Sequence, residues 1–354
     1  MSPPVPGVPE RVAVMRFSAA GDVILIAPVL QALARAWPHS QLVVITHERY
    51  APLVQHHPQV ESVIALRPKE GFMSLLHRAR AAQIDAVCDL HGSWRSRALA
   101  WALGARRVSR WRKRTLYTLA AHHLAHAPYR PEQPMAARYH AAAEALVGRS
   151  LPPEPLRFDV SPADRAAGQG LLTHVNAEAH RPLIGLLPGA AWATKRWPTA
   201  HFVTIARALL ARGDQVVVLG SGKEAPLTAA IVAGAPGALD LGVDCSWGAM
   251  GHVLSRCAAV VAGDTGPMHL ARAVGTPCVV LFGSTPASQF DLRGHAVLAS
   301  DVHCSPCSFH GLSACPRGHL RCMTELSADK VLAALMDLLR RGAAQSAPHA
   351  PHGR

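Results

Sequence analysis

The chain has 354 residues, 49% of them apolar and only 5% aromatic, and it carries a formal charge of +13. That length suits two domains, with cores built on Val, Leu, Ala and Ile rather than on aromatic rings. No run reaches the roughly 18 apolar residues that span a bilayer, the N-terminus lacks the basic start and apolar run of a signal peptide, and the charge points to an anionic partner: phosphate, nucleic acid or a negatively charged membrane surface.

Residues 1–10 read as a flexible, Pro-rich tail. A short apolar strand over 12–15 leads through a loop into helical spacing at Val23, Ile26, Leu30, Leu33 and Trp37, which Pro38 stops. Further strands are expected over 42–45, 63–66 and 86–90. Strands alternating with helices imply parallel βαβ units. The pattern weakens after residue 100, where Pro128, Pro131, Pro134, Pro152, Pro153 and Pro155 interrupt it. A boundary is therefore expected between 150 and 180, and we place the halves at 11–170 and 171–341. The alternation resumes with a strand over 183–187, a helix over 201–212, strands over 215–219, 259–262 and 277–282, and a last helix over 328–341. Residues 342–354, rich in Ala, Pro and His, read as a second tail. The fold class is α/β, with two parallel-sheet halves expected to face each other across a cleft.

Chemistry-bearing residues fall at strand-to-helix turns. Asp22 follows Ala19-Ala20-Gly21, small residues that let a ligand approach the backbone. An Asp there either caps the helix or serves as a general base toward a sugar hydroxyl. The loop over 188–198 offers Lys195 and Arg196 to a diphosphate, or is a solvated basic loop. Asp264, Thr265 and Gly266 end a strand and start a helix, whose backbone N–H groups make an anion site, and His269 lies one turn in. Glu224, after Gly220-Ser221-Gly222-Lys223, could accept hydrogen bonds from a ribose.

Between Leu90 and Pro131 there is no acidic residue, while Arg95, Arg97, Arg106, Arg107, Arg110, Arg112, Lys113 and Arg114 cluster with Trp94, Trp101 and Trp111. This composition fits a surface that meets phosphates or lipid headgroups, with nucleic acid as the competing partner. Cys304, Cys307, Cys315 and Cys322 have metal-ligand spacing, and four thiolates would make a closed, structural zinc or iron site. The alternative is four reduced thiols packed in a loop.

Six stretches, taken together, resemble glycosyltransferase family 9, the ADP-heptose:lipopolysaccharide heptosyltransferases. They are Arg16-Phe17-Ser18-Ala19-Ala20-Gly21-Asp22-Val23-Ile24, Asp89-Leu90-His91-Gly92-Ser93, Pro188-Gly189-Ala190 through Lys195-Arg196-Trp197-Pro198, Asp264-Thr265-Gly266-Pro267-Met268-His269, Phe282-Gly283-Ser284-Thr285, and Cys315-Pro316-Arg317-Gly318-His319 with Cys322-Met323. The last is most like the type that adds the second heptose. The resemblance implies a GT-B fold of two Rossmann-like domains, with the donor bound mainly by the C-terminal one. It implies Asp22 as catalytic base, Lys195 on the diphosphate, Glu224 on the adenosine ribose, and Asp264, Thr265, Gly266 and His269 on heptose and phosphates. Arg95, Arg97, Arg110, Arg112 and Arg114 are expected on the acceptor and membrane side. The implied partners are ADP-heptose, the lipopolysaccharide inner core and an anionic membrane surface, with no nucleic acid and no cofactor required for chemistry. The implied place is cytoplasmic, peripheral to the inner membrane. Two departures stand out: His91 where the family commonly has Gln, and Ala190 and Ala191 where some members have hydroxyl side chains. The competing functions are a GT-B enzyme with another substrate, such as one heptosylating proteins or an epimerase, and a non-catalytic basic anion-binding protein.

Overall fold

The computed structural model describes residues 7–111, 131–220, 222–242 and 245–346. The chain forms two compact units: Met1–Arg165 with Ser288–Asp291, and Ala166–Ala287 with Leu292–Arg354.

The first unit contains β1 (Arg11–Met15), α1 (Ala20–Ile24), α2 (Ala27–Ala36), β2 (Gln41–His47), β3 (Val60–Leu66), α3 (Phe72–Ala81), β4 (Ala86–Asp89), α4 (Trp94–Ala102), β5 (Arg107–Arg110) and α5 (Met135–Val147). Its five strands lie in the order β3-β2-β1-β4-β5, all parallel. Val12 to Met15 are fully buried, as a parallel sheet covered on both faces requires. One face takes Ala13, Met15, Val43, Ile45 and Val87 against Leu75, Leu76 and Ala79 of α3 and Leu99 and Ala100 of α4. Helix α5 packs against α2, β4 and β5. The single helix expected over 23–37 is two, because Pro28 has no N–H to continue the ladder and instead occupies the first turn of α2.

Helix α6 (Pro162–His174) carries the chain from one unit to the next. The division falls between Arg165 and Ala166 rather than after residue 170, inside this continuous helix.

The second unit contains β6 (Leu183–Leu187), α7 (Thr199–Ala211), β7 (Gln215–Val218), α8 (Ala225–Gly234), β8 (Leu239–Asp240), α9 (Trp247–Arg256), β9 (Ala259–Gly263), α10 (Gly266–Ala273), β10 (Cys278–Phe282), β11 (Ala296–Ala299), α11 (Arg321–Thr324) and α12 (Ala328–Ser346). Its six parallel strands run β11-β10-β9-β6-β7-β8. Phe202, Ile205 and Leu209 of α7 join Val331, Leu335 and Leu338 of α12 in its core. Trp197 stands edge-on to Phe202 at 4.9 Å and donates its indole N–H to the Leu326 carbonyl at 2.7 Å. The final helix continues to Ser346, beyond the expected end at 341.

Strand order reverses beside β1 and β4 in the first unit and beside β6 and β9 in the second. Open parallel sheets bind ligands outside the carboxyl ends of strands at such switch points. Asp22 follows β1, Asp89 ends β4, Lys195 follows β6, and Asp264 follows β9.

Candidate functional site

In the first unit, Asp22 occupies the first turn of α1 and accepts the backbone N–H of Ala19 at 3.4 Å, one half of a capping box. Its carboxylate does more than cap. Oδ2 is paired with Nη2 of Arg16, and Oδ1 accepts the Tyr139 hydroxyl at 3.3 Å. Arg16 also donates Nη1 to the Leu90 carbonyl at 2.7 Å. Its guanidinium lies 5.8 Å from the Trp111 ring and 5.5 Å from that of Tyr139. The Asp22 side chain keeps 21% of its surface exposed, against 8% for Arg16. Burial works against the Arg16 charge, but Asp22, Tyr139 and Asp89 outweigh it and hold the guanidinium above its ordinary pKa. Burial, reinforced by Asp22, pushes the Tyr139 phenol well above its usual range. The carboxylate thus stands open beside two groups that stay protonated.

Beside this turn lies a cavity of about 220 Å³ lined by Phe17, Ser18, His47, Phe72, His91 and Arg95 among others. It collects side chains from the carboxyl ends of the central strands. Asp89 shapes its wall, accepting the N–H groups of His91 and Gly92 at 3.0 Å each and the Ser96 hydroxyl at 2.9 Å. Phe17 meets His91 edge-on at 5.1 Å.

Of the expected arginines, Arg95 lines this cavity, Arg97 is exposed on α4, and Arg110 is exposed at the end of β5. Arg112 and Arg114 lie outside the described residues. Trp94 and Trp101 are 76% and 83% exposed on α4. Trp111 is instead core, 7% exposed and edge-on to Tyr139 at 5.7 Å, because it roofs the Arg16 guanidinium.

In the second unit, Lys195 ends a short turn after β6, and its Nζ lies 2.6 Å from Asp264 Oδ2. Thr285 donates its hydroxyl to the same oxygen at 2.8 Å, and His269 Nε2 is 3.9 Å from Oδ1. Arg272 Nη1 lies 3.1 Å from His269 Nδ1. Burial would raise the Asp264 carboxyl, yet Lys195, His269 and Thr285 together hold it below its ordinary value. Thr265 spends its hydroxyl capping α10, accepting the Met268 N–H at 3.4 Å, and Gly266 opens that helix. A Cβ on Gly263 would come within 2.7 Å of the Lys195 carbonyl, so glycine lets the Lys195 turn lie against β9. Glu224 sits over Gly189, where a Cβ would come within 2.0 Å of its carboxyl. Thr194 fixes the same turn by sharing a hydrogen bond with Ser284 at 2.8 Å and accepting the Leu312 N–H at 2.8 Å. The sequence assigns no role to Arg16, Tyr139 or Thr285. Arg16, Gly189 and Thr285 lie in the family-like stretches, whereas Tyr139 lies in none of them.

The four clustered cysteines share one neighbourhood. Cys304 Sγ lies 3.8 Å from His319 Nε2. Burial, then the thiols of Cys307, Cys304 and Cys315, pushes Cys322 to about 11. At Cys315 burial acts upward, but the backbone N–H groups of Leu320, Arg317, His319 and Gly318 outweigh it and lower the thiol's pKa. Among the described residues no group of three or more His, Cys, Asp or Glu is arranged to hold a metal ion. The spacing brings the thiols near one another without closing a cage around a centre.

A family model described as glycosyltransferase family 9 (heptosyltransferase) matches residues 72–310. The chain is 30% identical to lipopolysaccharide heptosyltransferase 1 of Pseudomonas aeruginosa, over 84% of this chain and 86% of that protein. It is 27% identical to lipooligosaccharide heptosyltransferase 2 of Haemophilus influenzae, over 75% and 81%. Its fold matches the crystal structure of a family 9 glycosyltransferase from Veillonella parvula with a TM-score of 0.78, 21% identity, and 94% and 97% of the two chains covered. It also matches ADP-heptose lipopolysaccharide heptosyltransferase II of E. coli with a TM-score of 0.73, 22% identity, and 94% and 99% covered. The fold is therefore GT-B. The chain is a glycosyltransferase and belongs to glycosyltransferase family 9, the heptosyltransferases.

Proposed function

We propose that the chain transfers L-glycero-D-manno-heptose from its ADP ester to a hydroxyl of the lipopolysaccharide inner core, with inversion at the anomeric carbon. The observation that carries the mechanism is Asp22, an open carboxylate with two buried donors behind it at the end of the central strand. Asp22 takes the acceptor proton as the hydroxyl attacks. Lys195 meets the departing diphosphate: an ammonium has three donors, and Asp264 engages one of them while orienting the side chain. The N–H groups that open α10 add a second anion-binding element. Glu224, beside the Lys195 turn, accepts from the adenosine ribose, and the cavity of the first unit, lined by apolar side chains together with His47, His91 and Arg95, receives the acceptor sugar. The names of the curated relatives support this donor and acceptor class. They include both the first and the second heptosyltransferase type, so acceptors bearing no heptose and one heptose should both be assayed.

Asp22→Asn keeps shape and the Ala19 contact but cannot take a proton. It should lower turnover about 10²-fold or more and leave ADP-heptose binding intact by calorimetry. Wild-type turnover in this variant would remove Asp22 from the mechanism.

This reading routes the reaction through protein groups alone. A structural zinc or iron at Cys304, Cys307, Cys315 and Cys322 is a separate proposal that rests on sequence spacing alone, since the thiols do not close around a centre. Elemental analysis of protein purified without chelator decides it, and about one metal per chain would support the site. A ratio near zero with four titratable thiols would establish packed cysteines instead.

A further inference from the structure

Helix capping leaves most of the surroundings of Asp22 unexplained. A capping carboxylate on a five-residue helix needs a backbone N–H, and Ala19 supplies it. It does not need a buried arginine, whose desolvation is costly unless its charge is matched. Nor does it need a phenol from a helix 117 residues further along the chain. Three elements nevertheless converge on this carboxylate: the end of β1 brings Arg16, α5 brings Tyr139, and the residue after β5 brings Trp111 over the guanidinium.

We propose that Arg16 and Tyr139 are positioning residues for Asp22. Together they fix the rotation of its carboxylate, hold its charge in place, and leave the solvent-facing lone pairs as the proton acceptors. The proposal rests on the reading of Asp22 as the general base. The geometry assigns the two donors to different oxygens, Arg16 to Oδ2 and Tyr139 to Oδ1. With both oxygens anchored the carboxylate cannot turn about its own axis without breaking a bond. Arg16 is itself held by the Leu90 carbonyl and by two aromatic rings, so it moves little. Among the described residues, Arg16 from the end of β1 and Tyr139 from α5 face the carboxylate, with Asp89 from β4 acting on Arg16 and Arg138 acting on Tyr139. Both donors keep their protons across the range in which a carboxylate base titrates, so they constrain Asp22 without competing for the proton it takes.

The test compares Arg16→Met, Arg16→Lys and Tyr139→Phe with wild type in the pH profile of turnover, in ADP-heptose affinity and in thermal unfolding. Arg16→Met removes the matched charge, so the acid limb of the profile should move to higher pH and turnover should fall about tenfold or more. Arg16→Lys should restore part of both. Tyr139→Phe keeps the ring against Trp111 and loses only the hydroxyl. It should lower turnover several-fold at nearly unchanged donor affinity, and this loss should vanish in an Asp22→Asn background, since coupled groups are not additive. Should Arg16→Met fail to fold, Arg16→Lys and Tyr139→Phe decide the matter. Folded variants whose acid limb and turnover match wild type would overturn the proposal. So would a Tyr139→Phe loss that persists undiminished beside Asp22→Asn. Full activity in Asp22→Asn alone would defeat the base assignment instead, which keeps the two failures apart.

Discussion

Asp264 is where the charges of the second unit converge. Its Oδ2 serves Lys195 and Thr285 at once, and both ionic side chains are largely buried, at 6% and 13% exposed. A buried pair is a poor source of net stability, but removing one member leaves the other uncompensated. Asp264→Asn should therefore destabilise the protein by about 3–5 kcal/mol in urea unfolding. A second substitution, Lys195→Met, should recover much of that loss while abolishing donor binding. A single-variant loss below about 1 kcal/mol would show that Lys195 reaches water as readily as it reaches Asp264.

At the scale of elements, the connection from β3 to α3 is closed by one side chain. Glu70 accepts the Arg67 N–H at 2.9 Å and the Ser74 hydroxyl at 2.7 Å, and receives Nε and Nη2 of Arg78 at 3.1 and 2.6 Å. Burial acts upward on its carboxyl, and these four donors bring it down to about 2. A depressed carboxylate contributes stability above its ordinary titration range and loses it as pH falls toward the folded value. Glu70→Gln should thus cost roughly 1–2 kcal/mol at neutral pH, after allowance for solvent screening, and the difference from wild type should close between about pH 4.5 and 2. A gap that persists below pH 2 would assign the loss to packing. The legibility of each element follows from similar physics. β1, β6, β9 and β10 are continuous apolar runs because helices cover both faces of their sheets, so their sequences announce them. β5 reads Arg-Val-Ser-Arg and β8 is two residues long, and edge strands half open to water carry no such run. Asp22, Lys195 and Asp264 stand out in the sequence because each follows a strand in a stretch of small residues. Tyr139 does not, since its contact with Asp22 spans 117 residues and leaves no local pattern.

For the whole molecule, a charge of +13 favours an anionic partner. No helix among the described residues is long and apolar enough to cross a membrane. Helix α4 instead offers Trp94, Arg97 and Trp101, which share one helical face, with both tryptophans exposed. Sedimentation with phosphatidylglycerol vesicles should fall with salt, and should drop about tenfold when Trp94→Ala, Arg97→Ser and Trp101→Ala are combined. Equal binding by variant and wild type would remove α4 from the contact, and strong DNA binding by the wild type would redirect the charge to another partner. The division of the chain has a consequence for anyone recombining it. Ser288–Asp291 belongs to the first unit although some 120 residues of the second precede it in sequence. A chimera made by one splice after α6 would therefore pair a first unit from one parent with a four-residue patch from the other. Functional exchange of acceptor specificity between relatives should require three crossovers, at 165, 287 and 291, with the short patch inherited alongside the N-terminal half.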